Sequence, residues 1–520
     1  MEIWQYLEIL RERKKGWFYS DTAISRKLEA LTEIAMQGKL RDIELLIPYL
    51  KHDHKDVREA ACNTIIYLFK KAATKNAYYD ALKYCSISLD DIDYYISAFP
   101  VEACLQLLAI CSLNGNGYVR EKAVRYLSVS NDPQAIPFLV YRLADWVPAV
   151  RTAAMQSILH FKQPTFVNAL VEHLAVFEWL QQVGRARLYE IRQEIIDYLI
   201  RENRRLILQN FSSYPDRIRV LLARHISKSL SDDPNEISIF LSDKHFLIRL
   251  QAIEHFDRLS PAAVEQLLED DSPRVRLQAL YRLKGSDNFL ETASRFLADS
   301  SGDIRYFTRY WLRDTIADFS AIYHQHISNK QQIIASITGL AEMNAKSYAP
   351  LIAGFLHDES IKIRRAAFLA LTKLDKETAY QFAMDKIDSE TGLRREIVEF
   401  LAHMPTKEVL TKARACFQHG NDAIRQSMIS LFARIGGWEV IADLVLGLLD
   451  NNAEIQQLSY DKIKRWRINT NNIFIAPAQT DIDRTRQAIR IATESLREKD
   501  VYYSRHYYGR LLSEIEFMLG

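Results

Sequence analysis

The side chains that could ligate a metal are few and poorly spaced. The groupings most similar to metal ligands are His52-Asp53-His54 and His324-x-His326, among thirteen histidines in all. Two ligands share one helix face when they lie four residues apart, and neither grouping has that spacing. We therefore interpret both as turn and surface residues, and the sequence predicts no metal and no other cofactor.

Nucleophilic chemistry has equally little support. A reactive thiol needs a base and a third group that orients the base, and Cys416 with His419 offers no third group at a suitable spacing. The other cysteines (62, 85, 104 and 111) form no C-x-x-C motif. Phosphate-binding and nucleophile-elbow motifs are also missing from the sequence. Free thiols of this kind are typical of a reducing compartment. Because no catalytic motif is present, the chain is predicted to be non-enzymatic.

The most informative pattern is an Asp followed six residues later by an Arg, with an aliphatic residue just before the Arg. Guanidinium and carboxylate groups form strong bidentate hydrogen bonds. From Arg249 onward the arginines recur in steps of about thirty residues with one double step, a period typical of a solenoid built from helix pairs. The complete pairs are Asp145/Arg151, Asp243/Arg249, Asp270/Arg276, Asp299/Arg305, Asp358/Arg364 and Asp388/Arg394.

The segments around these pairs also look helical on their own residues. In DDSPRVRLQALYRL (270–283), Val275, Ala279 and Leu280 form an apolar stripe at helical spacing. Asp, Ser and Pro gather just upstream, as the residues that cap and begin helices do. Neither helix of such a pair buries its apolar face alone, so each repeat depends on its neighbours.

The D-x(4)-[VIL]-R-x-x-A pattern resembles the HEAT repeat, especially the short bacterial form found in phycobilisome lyase-type proteins. Weaker copies lie at Arg26, Arg58, Arg120, Arg192, Arg219 and Arg425. A copy at Gln456 keeps Asp450 but loses the Arg, and two further copies, near 86–98 and 331–341, have no Arg. The resemblance implies an all-α, right-handed superhelical solenoid of about fifteen helix pairs. We expect an N-terminal capping helix (1–19), the solenoid (20–467), and a connector with a C-terminal helical cap (468–520).

In the HEAT family this Asp and Arg link successive repeats through a hydrogen-bonded ladder beneath the surface. The resemblance therefore implies that the six pairs are structural, with exposed phosphate contacts as the alternative. On this interpretation, Arg276→Ala would leave the Asp270 carboxylate buried and unpaired.

Composition excludes several classes of protein. Hydrophobic residues make up 48% and charged residues 26%, which excludes a disordered chain. The net charge of +2 gives no overall bias towards nucleic acid or an anionic membrane. The N-terminus does not read as a signal peptide, and the longest apolar run, VIADLVLGLL (440–449), is too short to span a bilayer. We expect a cytoplasmic protein without a membrane span.

In a repeat protein, functional information concentrates where the repeat breaks. The segment 175–205 is longer than the repeat requires and carries aromatic and basic residues of the types that dominate binding hot spots. A lengthened helix that packs on its own repeat is the alternative. The candidate partner-binding residues here are Trp179, Arg185, Arg187, Arg204 and Arg205.

The repeat breaks again after residue 467, where two further helices are predicted. The last helix interleaves tyrosine and arginine, which suits a protein interface or stacking on nucleic-acid bases. A capping helix pair at the end of the solenoid is the third alternative. The candidate partner-binding residues are Tyr503, Arg505, Tyr507, Tyr508 and Arg510.

Some HEAT-like proteins are enzymes, and their known activities imply residues that this chain can be compared with. No histidine is followed by Glu, so the His-Glu di-iron ligands of deoxyhypusine hydroxylases are missing. The resemblance favours a non-enzymatic scaffold that binds another protein along its concave face or at the two irregular segments. A nucleic-acid-binding solenoid is the alternative, and an enzyme similar to the HEAT-like DNA-repair glycosylases is a distant third.

Overall fold

A computed structural model describes residues 3–12, 21–71, 80–184, 188–229, 234–470, 476–498 and 502–519. These residues are predominantly α-helical and contain no β-strand. They belong to two compact units, Met1–Arg282 and Leu283–Gly520. None of the described helices is both long and apolar enough to cross a membrane.

In the described residues of the first unit we number the helices α1 to α18, and a π-helical turn spans Tyr198–Glu202. Their bounds in chain order are α1 Ile3–Arg11, α2 Asp21–Gln37, α3 Ile43–Leu46, α4 Lys55–Lys71, α5 Leu89–Ala98, α6 Val101–Cys111, α7 Gly117–Val129, α8 Ile136–Leu143, α9 Pro148–His160, α10 Val167–Glu172, α11 Leu174–Trp179, α12 Leu188–Asp197, α13 Arg204–Gln209, α14 Asp216–Ser227, α15 Pro234–Leu241, α16 Phe246–Ile253, α17 Pro261–Leu268 and α18 Pro273–Leu283.

The second unit continues with helices α19 to α32. Their bounds are α19 Phe289–Ser294, α20 Gly302–Leu312, α21 Phe319–Ser328, α22 Ile333–Glu342, α23 Ala349–Gly354, α24 Ile361–Leu374, α25 Lys376–Lys386, α26 Arg394–Ala402, α27 Lys407–His419, α28 Asp422–Ile435, α29 Ile441–Gly447, α30 Ala453–Thr470, α31 Gln479–Glu498 and α32 Tyr502–Met518.

Several helices begin at a residue whose side chain caps them. The Oγ atoms of Ser260 and Thr406 accept from the main-chain N–H groups three residues later, each at 3.2 Å. Asn421 caps α28 in the same way at 3.0 Å. These side chains satisfy N–H groups that have no partner inside the helix.

The helices stack in pairs within each unit. The second helix of one pair packs on the second helix of the next, as α7 does on α9 and α22 does on α24. The predicted stripe of α18 is buried, with Val275, Ala279 and Leu280 inaccessible to solvent. Each unit is therefore an all-α stack in which helix pairs bury one another's apolar faces.

The repeated arginine occupies a fixed place in the second helix. It is the fourth residue of α9, α16, α18, α20 and α24 alike. Its Nη1 donates to the main-chain carbonyl of the Asp six residues earlier, at 2.8 Å from Arg151 to Asp145 and 2.6 Å from Arg276 to Asp270. The arginine thereby holds the turn between the two helices of its own repeat.

The Asp carboxylate has a different partner, the arginine of the preceding repeat. Asp270 accepts from Nε and Nη2 of Arg249 at 2.5 and 2.6 Å, and Asp243 accepts from Arg219 at 2.8 and 3.1 Å. The expectation that Arg276→Ala would leave Asp270 unpaired is therefore corrected. Removing Arg249 is what would leave this carboxylate without its bidentate partner.

The repeat around 388–394 departs from this geometry. Arg364 donates to Glu390 at 3.0 Å rather than to Asp388, and Asp388 lies 3.4 Å from the ammonium of Lys412. Arg394 is the first residue of α26 instead of the fourth, because the turn before α26 extends through residue 393. The Asp388/Arg394 pair predicted as part of the ladder is thus replaced here by Arg364 and Glu390.

The buried ion pair between Arg120 and Asp145 predicts that the stability of the protein depends on pH. Both side chains are 1% exposed. Burial alone would raise the pKa of Asp145, but hydrogen bonds from Arg120 and the Val147 N–H, with the charge of Arg142, hold that pKa below its usual value. A lowered folded-state pKa stabilises the protein above the unfolded value of about 3.9, and this stabilisation is lost as pH falls through the folded value.

We therefore expect the loss of stability in Asp145→Asn, relative to the wild type, to be largest above about pH 4 and to shrink at lower pH. The check is urea unfolding across an acid pH series. Asp314→Asn, at a carboxylate that is mostly exposed, is the control and should show a small, constant difference. A constant large difference for Asp145→Asn would contradict the assignment.

Candidate protein-binding surfaces

The lengthened segment 175–205 uses its tryptophan internally. The Trp179 ring meets the Tyr141 ring edge-to-face, with centroids 5.3 Å apart. Trp179 therefore contacts the preceding repeat, and it is half-buried. Arg185 and Arg187 lie outside the described residues.

Two further arginines of this segment, Arg192 and Arg204, form ion pairs with glutamates of the same chain. Arg204 donates from Nε and Nη2 to both oxygens of Glu236 at 2.7 and 2.6 Å. Arg192 donates to Glu178 at 2.6 Å, and the Nε2 of His225 lies 2.8 Å from the same carboxylate oxygen. Burial opposes the charge of Glu178, yet His225 and Arg192 keep its pKa below the usual value. The bonds of Glu178 join α11, α12 and α14. The pair of Arg204 with Glu236 joins α13 and α15, so Arg204 is engaged in a contact within the chain.

Arg205 differs from Arg204 because its side chain is exposed. It belongs to a group of exposed basic residues in the segment 201–228. The group comprises Arg201, Arg205, Arg217, Arg224 and Lys228. This part of the first unit therefore presents cations to solvent.

The two C-terminal helices pack on the end of the second unit. Buried apolar residues of α31 and α32, among them Ile489, Leu512 and Ile515, join the same core as Leu448 and Ile455. The contacts run from α31 to α29 and from α32 to α30. The apolar faces of the two C-terminal helices are thus covered by the last helix pair.

Charged contacts reinforce this packing. The Asp443 carboxylate is 4% exposed and accepts from Arg414 of α27 at 3.1 Å and from Arg484 of α31 at 3.0 Å. Arg467 of α30 also pairs with Glu514 of α32. The tail is therefore held by a buried carboxylate with two cations as well as by apolar burial.

The candidate residues of the last helix fall into three groups. The Tyr508 ring packs against the Tyr460 ring at 5.3 Å, and burial raises the pKa of its phenol. Arg510 is exposed and pairs with Glu514 one turn later. The side chains of Tyr503, Arg505 and Tyr507 lie outside the described residues. Arg510 is thus the described candidate of this helix that remains open to a partner.

A surface that the sequence reasoning missed lies on α20. We call it the α20 patch and define it as Lys284, Tyr306, Tyr310, Trp311 and Arg313. Tyr306 is 68% exposed and Tyr310 is 48% exposed. They stand four residues apart, so both project from one face of the helix. The patch offers two solvent-facing phenols on a rigid element.

Cations lie over the rings of the α20 patch. The Arg313 guanidinium is 4.3 Å from the centre of the Tyr310 ring, and the Lys284 ammonium is 4.2 Å from a Trp311 ring. Arg313 also lowers the pKa of the Tyr310 phenol. Cation–π contacts of this kind hold long side chains in place.

The inner side of the α20 patch is fixed by a small aromatic core. The Trp311 ring meets the Phe289 ring at 6.0 Å and the Phe307 ring at 6.4 Å. The signal in the sequence was the dense aromatic and basic run RYFTRYWL (305–312), which the repeat pattern around Arg305 concealed. The patch is thus anchored from below and presented outward.

The histidines and the cysteine that were candidates for metal binding or catalysis contact nearby residues of the chain. The Nδ1 of His52 accepts the His54 main-chain N–H at 3.0 Å, and the His324 ring packs on Tyr348. Burial, with the charge of Asp388 nearby, raises the pKa of the Cys416 thiol. Within the described part of the chain, no group of three or more His, Cys, Asp or Glu residues is placed to hold a metal ion.

No family model matches the chain, and no curated protein does. Among solved structures, Kap121p is 12% identical with a TM-score of 0.32, over 95% of this chain and 64% of that chain. Importin beta is 12% identical with a TM-score of 0.34, over 99% of this chain and 73% of that chain. A C-terminal fragment of the Chaetomium thermophilum cohesin loader SCC2 is 12% identical with a TM-score of 0.33. The match covers 98% of this chain and 47% of that chain. The chain thus spans less than two thirds of Kap121p, and likeness at this level defines neither a family nor a function.

Proposed function

We propose that the protein is a non-enzymatic scaffold of HEAT-type helix pairs that binds another protein. The observation that carries the proposal is the α20 patch, with its exposed tyrosines and its cations held over aromatic rings. Tyr, Trp and Arg are the residues that dominate binding energy at protein interfaces. Their rings contribute a large contact area at little cost in conformational entropy.

The charge around the patch supports a protein partner over nucleic acid. Arg313 lies 3.7 Å from the Asp314 carboxylate, so it does not stand as an isolated cation. Binding to a phosphate backbone depends on several cations that release counterions. A surface of mixed charge and exposed aromatic rings is typical of protein interfaces.

The test is quantitative capture of partners from a cell extract, followed by binding of the purified partner. We expect Tyr306→Ala with Tyr310→Ala to weaken binding about tenfold or more, as loss of a hot spot does. Tyr118→Ala with Tyr189→Ala is the matched control, since both tyrosines are similarly exposed in the first unit. Equal binding by the two double variants would contradict the assignment of the patch.

The exposed cations of residues 201–228 favour nucleic acid as a second candidate ligand. Arg205, Arg217 and Arg224 are exposed along α13 and α14, and a row of cations suits a phosphate backbone. Replacing these three with Gln should abolish oligonucleotide binding if this candidate is correct. Affinity that falls steeply with salt would support it.

A further inference from the structure

A cleft of about 510 Å³ opens beside the start of α22 in the second unit. Its floor is aliphatic, with Ile333, Ile334 and Ile363 among the lining residues. Arg305 and Lys330 also line it, and no carboxylate does. The cleft therefore combines an apolar floor with two cations at its wall.

The cleft lies where the repeated Asp and Arg are missing. The fourth residue of α22, which is Arg in α20 and α24, is Ser336, and Lys330 stands in place of the Asp six residues earlier. Ser336 is 0% exposed, and its Oγ has no hydrogen-bond partner in the structure. The guanidinium that closes this turn in neighbouring repeats is thus replaced by a much shorter side chain.

Other residues satisfy the cation next to the gap. The guanidinium of Arg305 donates through Nε and Nη2 to the carboxylate of Glu342 at the far end of α22, with Nε 3.2 Å from Oε2. Arg309 donates to the same carboxylate at 2.8 Å and to the Tyr323 hydroxyl at 2.8 Å. Arg305 is therefore largely neutralised, and Lys330 is the exposed cation of the cleft.

The backbone of the turn before α22 is held in a costly conformation. Lys330 and Gln332 have φ values of 57° and 45°. This left-handed region suits Gly and Asn, whereas Lys and Gln rarely adopt it. Residues held in such conformations cluster at binding sites. Here the conformation places both side chains at the cleft.

We propose that this cleft binds a short segment of a protein partner that carries an acidic side chain next to an aliphatic one. The aliphatic side chain packs on Ile333 and Ile334, and the carboxylate meets the Lys330 ammonium. Charge complementarity selects the acid, because Lys330 is the exposed cation of the cleft and no carboxylate lines it. The inference rests on the proposed protein-binding function and names the chemistry of one contact.

The test selects binders from a displayed library of short random peptides on the full-length protein. We expect the enriched peptides to share an Asp or Glu beside Ile, Leu or Val. Lys330→Glu should weaken the best peptide about tenfold or more, and changing the peptide's acid to its amide should do the same. Lys407→Glu, at another exposed lysine, is the control and should leave affinity unchanged.

A second variant separates binding from folding. Lys330→Gly should raise the melting temperature, because Gly adopts a positive φ without steric cost, and should still lose peptide affinity. Peptides that bind equally well to wild type and to Lys330→Glu would overturn the cleft assignment and leave the scaffold function standing. Enrichment of basic peptides, or of none, would also overturn it. If the Tyr306→Ala with Tyr310→Ala variant also binds the partner as well as its Tyr118→Ala with Tyr189→Ala control does, the proposed function fails too.

Discussion

Replacing Arg249 with alanine is expected to destabilise the protein by about 3–5 kcal/mol, the usual cost of leaving one member of a buried ion pair alone. Arg249 donates through Nε and Nη2 to Asp270, whose side chain is 5% exposed. Its Nη1 also holds the carbonyl of Asp243 at 2.8 Å. One turn and one carboxylate would therefore lose their partner together.

The measurement is chemical unfolding followed by far-ultraviolet circular dichroism. Arg217→Ala is the matched control, because Arg217 is exposed on α14 and surface changes usually stay within about 0.5 kcal/mol. A decrease in the free energy of unfolding below about 1 kcal/mol for Arg249→Ala would show that the Arg249–Asp270 pair contributes little to stability.

Deleting residues 471–520 is expected to cause aggregation and a lower melting temperature. The deletion removes Ile489, Leu512 and Ile515 from the core and uncovers the apolar face of the last helix pair. It also takes Arg484 away from the buried Asp443 carboxylate. Exposed apolar surface of this kind promotes association, and an end unit with a polar outer face keeps a solenoid in solution.

Size-exclusion chromatography with light scattering and a thermal melt would measure this effect. Arg510→Ala is the control, because its side chain is 82% exposed and its loss uncovers no core. A truncated protein that remains monomeric with an unchanged melting curve would show that α31 and α32 are not a cap.

The helix pairs were predictable because the Asp and Arg mark a fixed position in each repeat. Arg151, Arg276 and Arg364 each stand fourth in their helix, where Nη1 meets a carbonyl six residues back. That contact is local, so its spacing appears in the sequence. The buried stripe of α18 is likewise a local pattern at helical period.

The partners of the carboxylates were not predictable in the same way. Asp270 lies six residues from Arg276 but binds Arg249, which is twenty-one residues earlier. Spacing along the chain does not distinguish these two arginines, because both come close only after the repeats stack. Glu342 and Glu390, which replace Asp as partners of Arg305 and Arg364, have no counterpart in the motif.

The candidate site was less predictable than the fold. Trp179, Arg204 and Tyr508 have the residue types of an interface, yet each contacts another part of the same chain. Their exposure depends on neighbouring repeats and not on their own segment. The α20 patch was not predictable from the repeat pattern, because its tyrosines lie inside a complete copy of the repeat and that pattern accounts only for Arg305.

The most direct test of the scaffold proposal is calorimetric titration of the purified partner into the full-length protein at about 50 and 200 mM salt, with a single-stranded oligonucleotide titrated in parallel. We expect partner binding with a negative heat-capacity change, little dependence on salt, and no measurable heat from the oligonucleotide. Tight oligonucleotide binding that weakens about a thousandfold between the two salt concentrations would contradict the account and favour a nucleic-acid ligand.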